Sequence, residues 1–197
     1  RVAERTPGFS GADLENLLNE AAILSARRNK KQIGQAEVFS SVEKVILGPE
    51  RKSHILSKKE KQITAVHEAG HALVAHELPN ADPVHKVSII SRGQAAGYTL
   101  KLPLEDKHFH SKAEFVDDLA VFLAGYAAEK EIFKDITTGA SNDLKQATKL
   151  ARRLVTDFGM GRDLPPRTFG EREELIFLGR EITEQRDYSE KIAEQID

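Results

Sequence analysis

From Gly11 onward, Leu14, Leu17, Leu18, Ala21 and Ala22 recur every three or four residues, a single apolar stripe that predicts an amphipathic helix. Ser10 stands three residues ahead of Asp13, the spacing of a capping box, and the basic run Arg27-Arg28-Asn29-Lys30-Lys31 reads as a solvated C-terminal turn. A shorter helix is expected from Val38, Phe39, Val42, Val45 and Ile46, stopped by Gly48-Pro49. A second capping box, Ser57 with Glu60, opens a pattern of Ile63, Val66, Gly70, Leu73 and Val74 that Pro79 ends. Two β-rich segments, Val84 to Ile90 and Tyr98 to Leu102, flank the glycine-containing stretch 91–97 and predict a hairpin closed by Pro103. Ser111 with Glu114 caps a long helix through Phe133. Ser141 is placed to cap another, in which Leu144, Ala147, Ala151, Leu154, Val155 and Phe158 keep helical spacing until Gly159 and Gly161. A last helix opens near Tyr188 and is unfinished at Asp197.

This order predicts a mainly α protein with a small β-hairpin or sheet. Two helices alone make a poor core, so residues 1–47 are expected to be part of a helical domain whose remainder lies upstream. Residues 48–56 read as a linker and 57–197 as a second domain, C-terminally incomplete, in a chain that reads as a piece of something longer. The 197 residues carry 29 Lys+Arg against 31 Asp+Glu, for a formal charge of −2, and 40% are hydrophobic. That suffices for a packed core and excludes a disordered tail. No apolar run approaches the roughly 18–20 residues of a membrane span, because Gly125 and Tyr126 interrupt the richest stretch, Ala120 to Ala128. Near-zero net charge and 6% aromatics supply neither the basic stripe nor the interleaved rings of a nucleic-acid surface, so no nucleic-acid partner is expected. With no cysteine, disulfides, thiol nucleophiles and Cys-based zinc sites are excluded. Any metal must use histidine and carboxylate.

Within the helix after Ser57 stands His67-Glu68-Ala69-Gly70-His71. A period of 3.6 residues puts both imidazoles on one face a turn apart, where they can clamp one metal ion such as Zn²⁺. Glu68 is rotated about 100° from His67 yet can lean toward the open coordination position and take a proton from metal-bound water. That is an arrangement for hydrolysis. The bland alternative is a chance pentapeptide with packed histidines, and the capped helix and Gly70 both weigh against it. A third ligand is needed. A metzincin pattern fails, since Val74 and Glu77 stand where glycine and histidine are required and His76 is out of register by one. Glu129 and Asp143 are the acidic candidates. Asp143, just after a glycine-containing turn, could equally serve the positive end of a helix dipole, and spacing leaves the two tied.

Taken together, His67-Glu68-Ala69-Gly70-His71-Ala72-Leu73, Gly97-Tyr98-Thr99 and Thr137-Thr138-Gly139-Ala140-Ser141-Asn142-Asp143-Leu144 resemble the FtsH family of membrane-bound, ATP-dependent zinc metalloproteases. Thr6-Pro7-Gly8-Phe9-Ser10-Gly11-Ala12-Asp13-Leu14 is similar to the start of that family's helical AAA lid, and Phe177-Leu178-Gly179-Arg180-Glu181-Ile182 to a later segment. The resemblance implies a lid fragment followed by a mostly helical zinc-metalloprotease domain. It implies Asp143 as third zinc ligand beside His67 and His71, with one Zn²⁺ per chain and Glu68 as general base. It further implies a homo-hexamer that unfolds protein substrates upstream, with ATP and Mg²⁺ needed only in the full-length protein. The family's setting is a bacterial inner membrane with the protease facing the cytoplasm, or an organelle membrane in a eukaryote. The strand near Gly97-Tyr98-Thr99 would offer an edge to an extended substrate chain, a mode of binding with little sequence selectivity. Tyr98 reads as readily as a hairpin or core aromatic.

Departures from the family pattern fall at Ala124 and Tyr126, and at Met160-Gly161-Arg162-Asp163-Leu164-Pro165-Pro166, none of them a predicted ligand. No G-x-x-x-x-G-K-[ST] loop occurs, so ATP hydrolysis is expected elsewhere in the full-length protein. Two other readings are a non-catalytic ring-assembly and substrate-holding module, against which the intact Glu68 argues, and a hydrolase of small molecules, against which the lid and the edge strand argue. His54, His76, His85, His108 and His110 lack a ligand partner at helical spacing and read as surface or hydrogen-bonded residues. His85 or His110 could steady an oxyanion.

Overall fold

The computed structural model describes residues 2–50, 56–92, 96–103, 107–170 and 187–196. Helix α1 (Gly11–Arg27) opens on the expected capping box, in which Ser10 accepts from the Asp13 backbone and donates its own N–H to Asp13 Oδ2 at 2.8 Å. Helix α2 (Gln35–Leu47) begins three residues before Val38 and ends at Gly48, whose φ of 83° suits glycine. Leu17 and Ala21 of α1 and Val42 of α2 are buried, and Lys44 ion-pairs with Glu20 across the pair. The basic run after α1 is not simply solvated. Arg28 and Lys30 reach Glu37 Oε1 at 2.8 and 2.7 Å, because the Glu37 side chain has no exposed surface and requires cations there.

Helix α3 (Lys58–Glu77), capped by Ser57 and Glu60, lies along α4 (Lys112–Phe133), capped by Ser111 and Glu114. Gly70 permits the approach: a Cβ there would sit 2.7 Å from both the Ala124 carbonyl oxygen and Ala128 Cβ. The side of α3 that is buried carries His67, Glu68, His71 and Ala75, whereas Leu73 of the expected apolar stripe is 63% exposed. Polar side chains are buried here because α4, α5 and the sheet supply partners for them.

Strands β1 (Val84–Ser88) and β2 (Tyr98–Lys101) pair antiparallel, Val87 opposite Thr99 and Ser88 opposite Tyr98, with a bulge at His85. They are shorter than the pattern predicts; Ile89 and Ile90 lie beyond β1 and are exposed. A charge cluster fastens the hairpin to the end of α2. Glu43 receives Lys86 Nζ at 2.8 Å, Arg92 at 3.1 Å and the Tyr98 hydroxyl at 3.3 Å, and buried Arg92 also bonds Glu50 and the Gly48 carbonyl. Tyr98 is therefore a buried hairpin aromatic whose hydroxyl turns toward α2.

Helix α5 (Ser141–Thr156) follows a 3₁₀ turn, Thr138–Ala140. Ser141 is its first residue rather than its cap: Ala140 holds that position without a side-chain bond, and Thr137 instead caps the 3₁₀ turn by accepting from Gly139 N–H. Phe158 lies past the helix end and stacks on Phe115 of α4, with centroids 5.3 Å apart. Helix α6 spans Glu190–Ile196. Among the described residues the protein is thus mainly α with one two-stranded sheet, and no helix is long and apolar enough to cross a membrane. His54 and the segment 177–182 lie outside the described residues.

Candidate metal centre

Three atoms from two helices converge on one point. His67 Nε2 lies 3.0 Å from His71 Nε2 and 3.1 Å from Asp143 Oδ2, and His71 Nε2 lies 3.6 Å from the same oxygen. The helical period of α3 aligns the two imidazoles, and the turn at Thr138–Ala140 swings the start of α5 so that Asp143 faces them.

The far nitrogens fix what the near ones can do. His71 Nδ1 is 2.7 Å from the Val121 carbonyl, which can only accept, so Nδ1 carries the hydrogen and Nε2 presents a lone pair. His67 Nδ1 is 2.7 Å from Glu129 Oε1 and takes the same tautomer. Two imidazole lone pairs and a carboxylate oxygen then face one another with no hydrogen to share. Such a set of acceptors calls for a cation. Tetrahedral ligands bonded at about 2.0–2.1 Å stand about 3.3–3.4 Å apart, and the observed separations bracket that distance. His67, His71 and Asp143 therefore fit a metal ion of zinc's size and ligand preference.

Glu129 is not one of the three converging groups and meets His67 at its other ring nitrogen. It approaches His67 from the side away from the other two donors, is 1% exposed, and uses both oxygens: Oε1 on His67 and Oε2 on the Thr137 N–H at 2.8 Å. One carboxylate thereby orients an imidazole and anchors the turn that carries Asp143. Gly125 makes the room. A Cβ at that position would lie 2.4 Å from His67 Cε1 and 2.6 Å from His71 Nε2. In the sequence Gly125 shows only as an interruption of an apolar stretch, between the two unusual residues Ala124 and Tyr126; Ala124 is part of the α3–α4 contact.

Electrostatics separate the acidic groups. Burial pushes the Glu68 carboxyl above its ordinary range, against the Thr99 hydroxyl hydrogen-bonded to it. Burial acts the same way on Asp143, but the adjoining His67 and His71 rings override it and hold that carboxyl well below the usual value. For His67 burial opposes charge, and the Asp143 and Glu129 carboxylates outweigh it and raise the imidazole. A raised carboxyl beside a lowered one is the division of labour expected of a proton acceptor next to a ligand. Both border a cleft of about 970 Å³ that also includes Gly97, Thr99 and Thr137 to Gly139. His85 and His110 do not border it; His110 packs on Phe115 instead.

Peptidase family M41 matches residues 54–197, and the AAA+ lid domain matches residues 1–39. The chain is 61% identical over 196 residues to the ATP-dependent zinc metalloprotease FtsH 1 of Sphaerobacter thermophilus and 60% identical to that of Thermomicrobium roseum. Against the FtsH 1 of Thermoanaerobacter sp. the identity is 54%. Each match covers 100% of this chain and 30–32% of the relative, so the chain spans about a third of the length of these proteins.

Proposed function

The chain belongs to peptidase family M41, and from that premise we propose that it is the proteolytic part of an ATP-dependent zinc metalloendopeptidase that hydrolyses peptide bonds in unfolded membrane and soluble proteins. The supporting observation is the convergence of His67 Nε2, His71 Nε2 and Asp143 Oδ2, with Glu68 beside them on α3. Residues 1–47 form the end of the AAA lid, 48–56 the linker and 57–197 the protease domain. The whole protein is a homo-hexamer anchored in a bacterial inner membrane with the protease facing the cytoplasm, or in an organelle membrane in a eukaryote. Its ATPase portion, supplied with ATP and Mg²⁺, unfolds substrates.

His67, His71 and Asp143 hold Zn²⁺, one per chain. When bound, zinc polarises the scissile carbonyl and lowers the pKa of a coordinated water to about 7. Glu129 and the Val121 carbonyl keep the imidazoles in the tautomer that presents Nε2. The Glu68 carboxylate takes the proton from the attacking water and returns it to the leaving amine, a role that suits its raised pKa. An extended substrate chain lies along β2, whose edge away from β1 has no strand partner among the described residues.

The test is elemental analysis of the full-length protein with cleavage of an unfolded protein substrate. Asp143→Ala and His71→Ala are expected to lose zinc and turnover, and Glu68→Gln to keep zinc and lose turnover. Glu129→Ala is expected to bind zinc at full stoichiometry when the metal is in excess. Full zinc in Asp143→Ala with none in Glu129→Ala would overturn the ligand assignment, and normal cleavage by Glu68→Gln would overturn the base.

A further inference from the structure

Strand β2 presents different chemistry to its two sides. Tyr98 and Leu100 are buried, and the Tyr98 hydroxyl ends on Glu43 of α2. Thr99, alternating to the other face, meets α3. Its hydroxyl lies 2.7 Å from Glu68 Oε2 and 3.1 Å from the Glu68 carbonyl oxygen. Both are acceptors and threonine has a single O–H, so the shorter, charge-assisted contact takes the hydrogen. Among the described residues this is the only hydrogen bond to the Glu68 carboxylate.

Three features make the contact a consequence of the fold. Gly97 lets β2 start against the stem of Glu68: a Cβ there would lie 3.0 Å from Glu68 Cγ, 2.6 Å from Thr64 Cγ2 and 2.8 Å from the Ser88 carbonyl oxygen. Pairing with β1 sets the register that puts Thr99 opposite Val87. Threonine is β-branched and stiff at χ1, so the backbone of the strand fixes the direction of the hydroxyl. Glu68, in contrast, has three rotatable side-chain bonds and would otherwise sample several orientations within the cleft.

The geometry points to Thr99 as a positioning residue for the proton acceptor: its hydroxyl holds the Glu68 carboxylate in one orientation beside the three converging donor atoms. This rests on the reading of Glu68 as the base. Among the described residues Thr99 makes no hydrogen bond to His67, His71 or Asp143, so its removal should leave the metal in place, and a loss of orientation should appear in kcat rather than in KM.

The experiment uses the full-length enzyme and the variants Thr99→Val, Thr99→Ser, Glu68→Gln and Thr99→Val/Glu68→Gln. Zinc content, ATP hydrolysis, and kcat and KM for an unfolded protein substrate are measured on each. Valine keeps the shape and removes the hydroxyl. It should retain zinc, ATP hydrolysis and KM while kcat falls between about 10- and 100-fold. Serine should recover most of that loss, and the double variant should be no slower than Glu68→Gln, since Thr99 acts only through Glu68. A wild-type kcat in Thr99→Val, an equal loss in serine and valine, loss of zinc in valine, or a further drop in the double variant would each overturn the assignment. Failure of the underlying reading looks different: Glu68→Gln itself would then turn over normally.

Discussion

Two glutamates have almost no exposed surface, Glu37 in α2 at 0% and Glu129 in α4 at 1%, and they keep different company. Glu37 gathers two cations on one oxygen, Arg28 and Lys30, which hold its carboxyl near 2 against an ordinary 4.5. Its other oxygen, Oε2, makes no hydrogen bond among the described residues. Among the described residues Glu129 has no lysine or arginine partner; its oxygens go one each to the His67 ring N–H and the Thr137 backbone N–H. A buried carboxylate matched by cations is compensated as a charge, and its partners, about half exposed, could return to water. A buried carboxylate matched by an imidazole N–H sets the direction of a second nitrogen, which is the arrangement found behind metal ligands. The first ties a loop to a helix, and the second aims a lone pair.

The largest effect expected from this contrast leaves both glutamates in place. Gly125→Ala puts a methyl group within 2.4–2.6 Å of the two imidazoles, so the histidines must move off their common point. Zinc content should fall to background and cleavage by about 100-fold or more, whereas the α1–α2 pair, remote from the change, should keep its stability. Elemental analysis with thermal melting checks both. Next comes Glu129→Ala, which removes the hydrogen-bond partner of His67 Nδ1 and none of the three converging atoms. A zinc affinity about 10- to 100-fold weaker is expected from competition with a chelator, with Glu37→Ala indistinguishable from wild type in the same titration. An unchanged affinity in Glu129→Ala would reduce Glu129 to a structural carboxylate like Glu37.

Much of the site was legible in the sequence because the helical period alone aligns His67 with His71, and the capping boxes at Ser57 and Ser111 fix where α3 and α4 begin. What brings Asp143 to them is a tertiary fact, the packing of α5 beside α4 after the Thr138–Ala140 turn, so spacing could not choose it over Glu129. The burial of Glu37 was hidden for the same reason. Nothing in a local pattern says that Arg28 and Lys30, in what reads as a solvated turn, will fold back onto the first turn of the next helix. Gly125 and Thr99 were obscure too, since a close approach and a cross-element hydrogen bond leave no periodic trace. Leu73 shows the converse, an apolar residue in good register that stays at the surface because the neighbouring side of α3 carries the site.

A smaller effect separates the two carboxylates by pH. A carboxyl lowered in the folded state favours folding above its ordinary value and loses that contribution as the pH falls. Glu37, lowered from 4.5 to about 2, should therefore stabilise the α1–α2 pair fully above pH 4.5 and progressively less toward pH 2. Thermal melts followed by circular dichroism should lose part of this acid limb in Glu37→Gln and should show at neutral pH that the variant melts lower than wild type. An acid limb that is unchanged would mean that Arg28 and Lys30 do not hold the charge as the geometry indicates.

The smallest effect concerns Ser41, one turn beyond Glu37 on α2 and 1% exposed. Its hydroxyl makes no hydrogen bond among the described residues, and neither does Glu37 Oε2. A buried hydroxyl without a partner opposes folding, and alanine removes it while leaving only a small space. Ser41→Ala should then melt at the same temperature as wild type or slightly above it. A drop of several degrees would mean that the hydroxyl serves Glu37 Oε2, directly or through water, once the helix relaxes. Glu37 would in that case have a partner on each oxygen, as Glu129 does, and the contrast between them would rest only on the kind of partner: cations and a hydroxyl in one, the His67 ring N–H and a backbone N–H in the other.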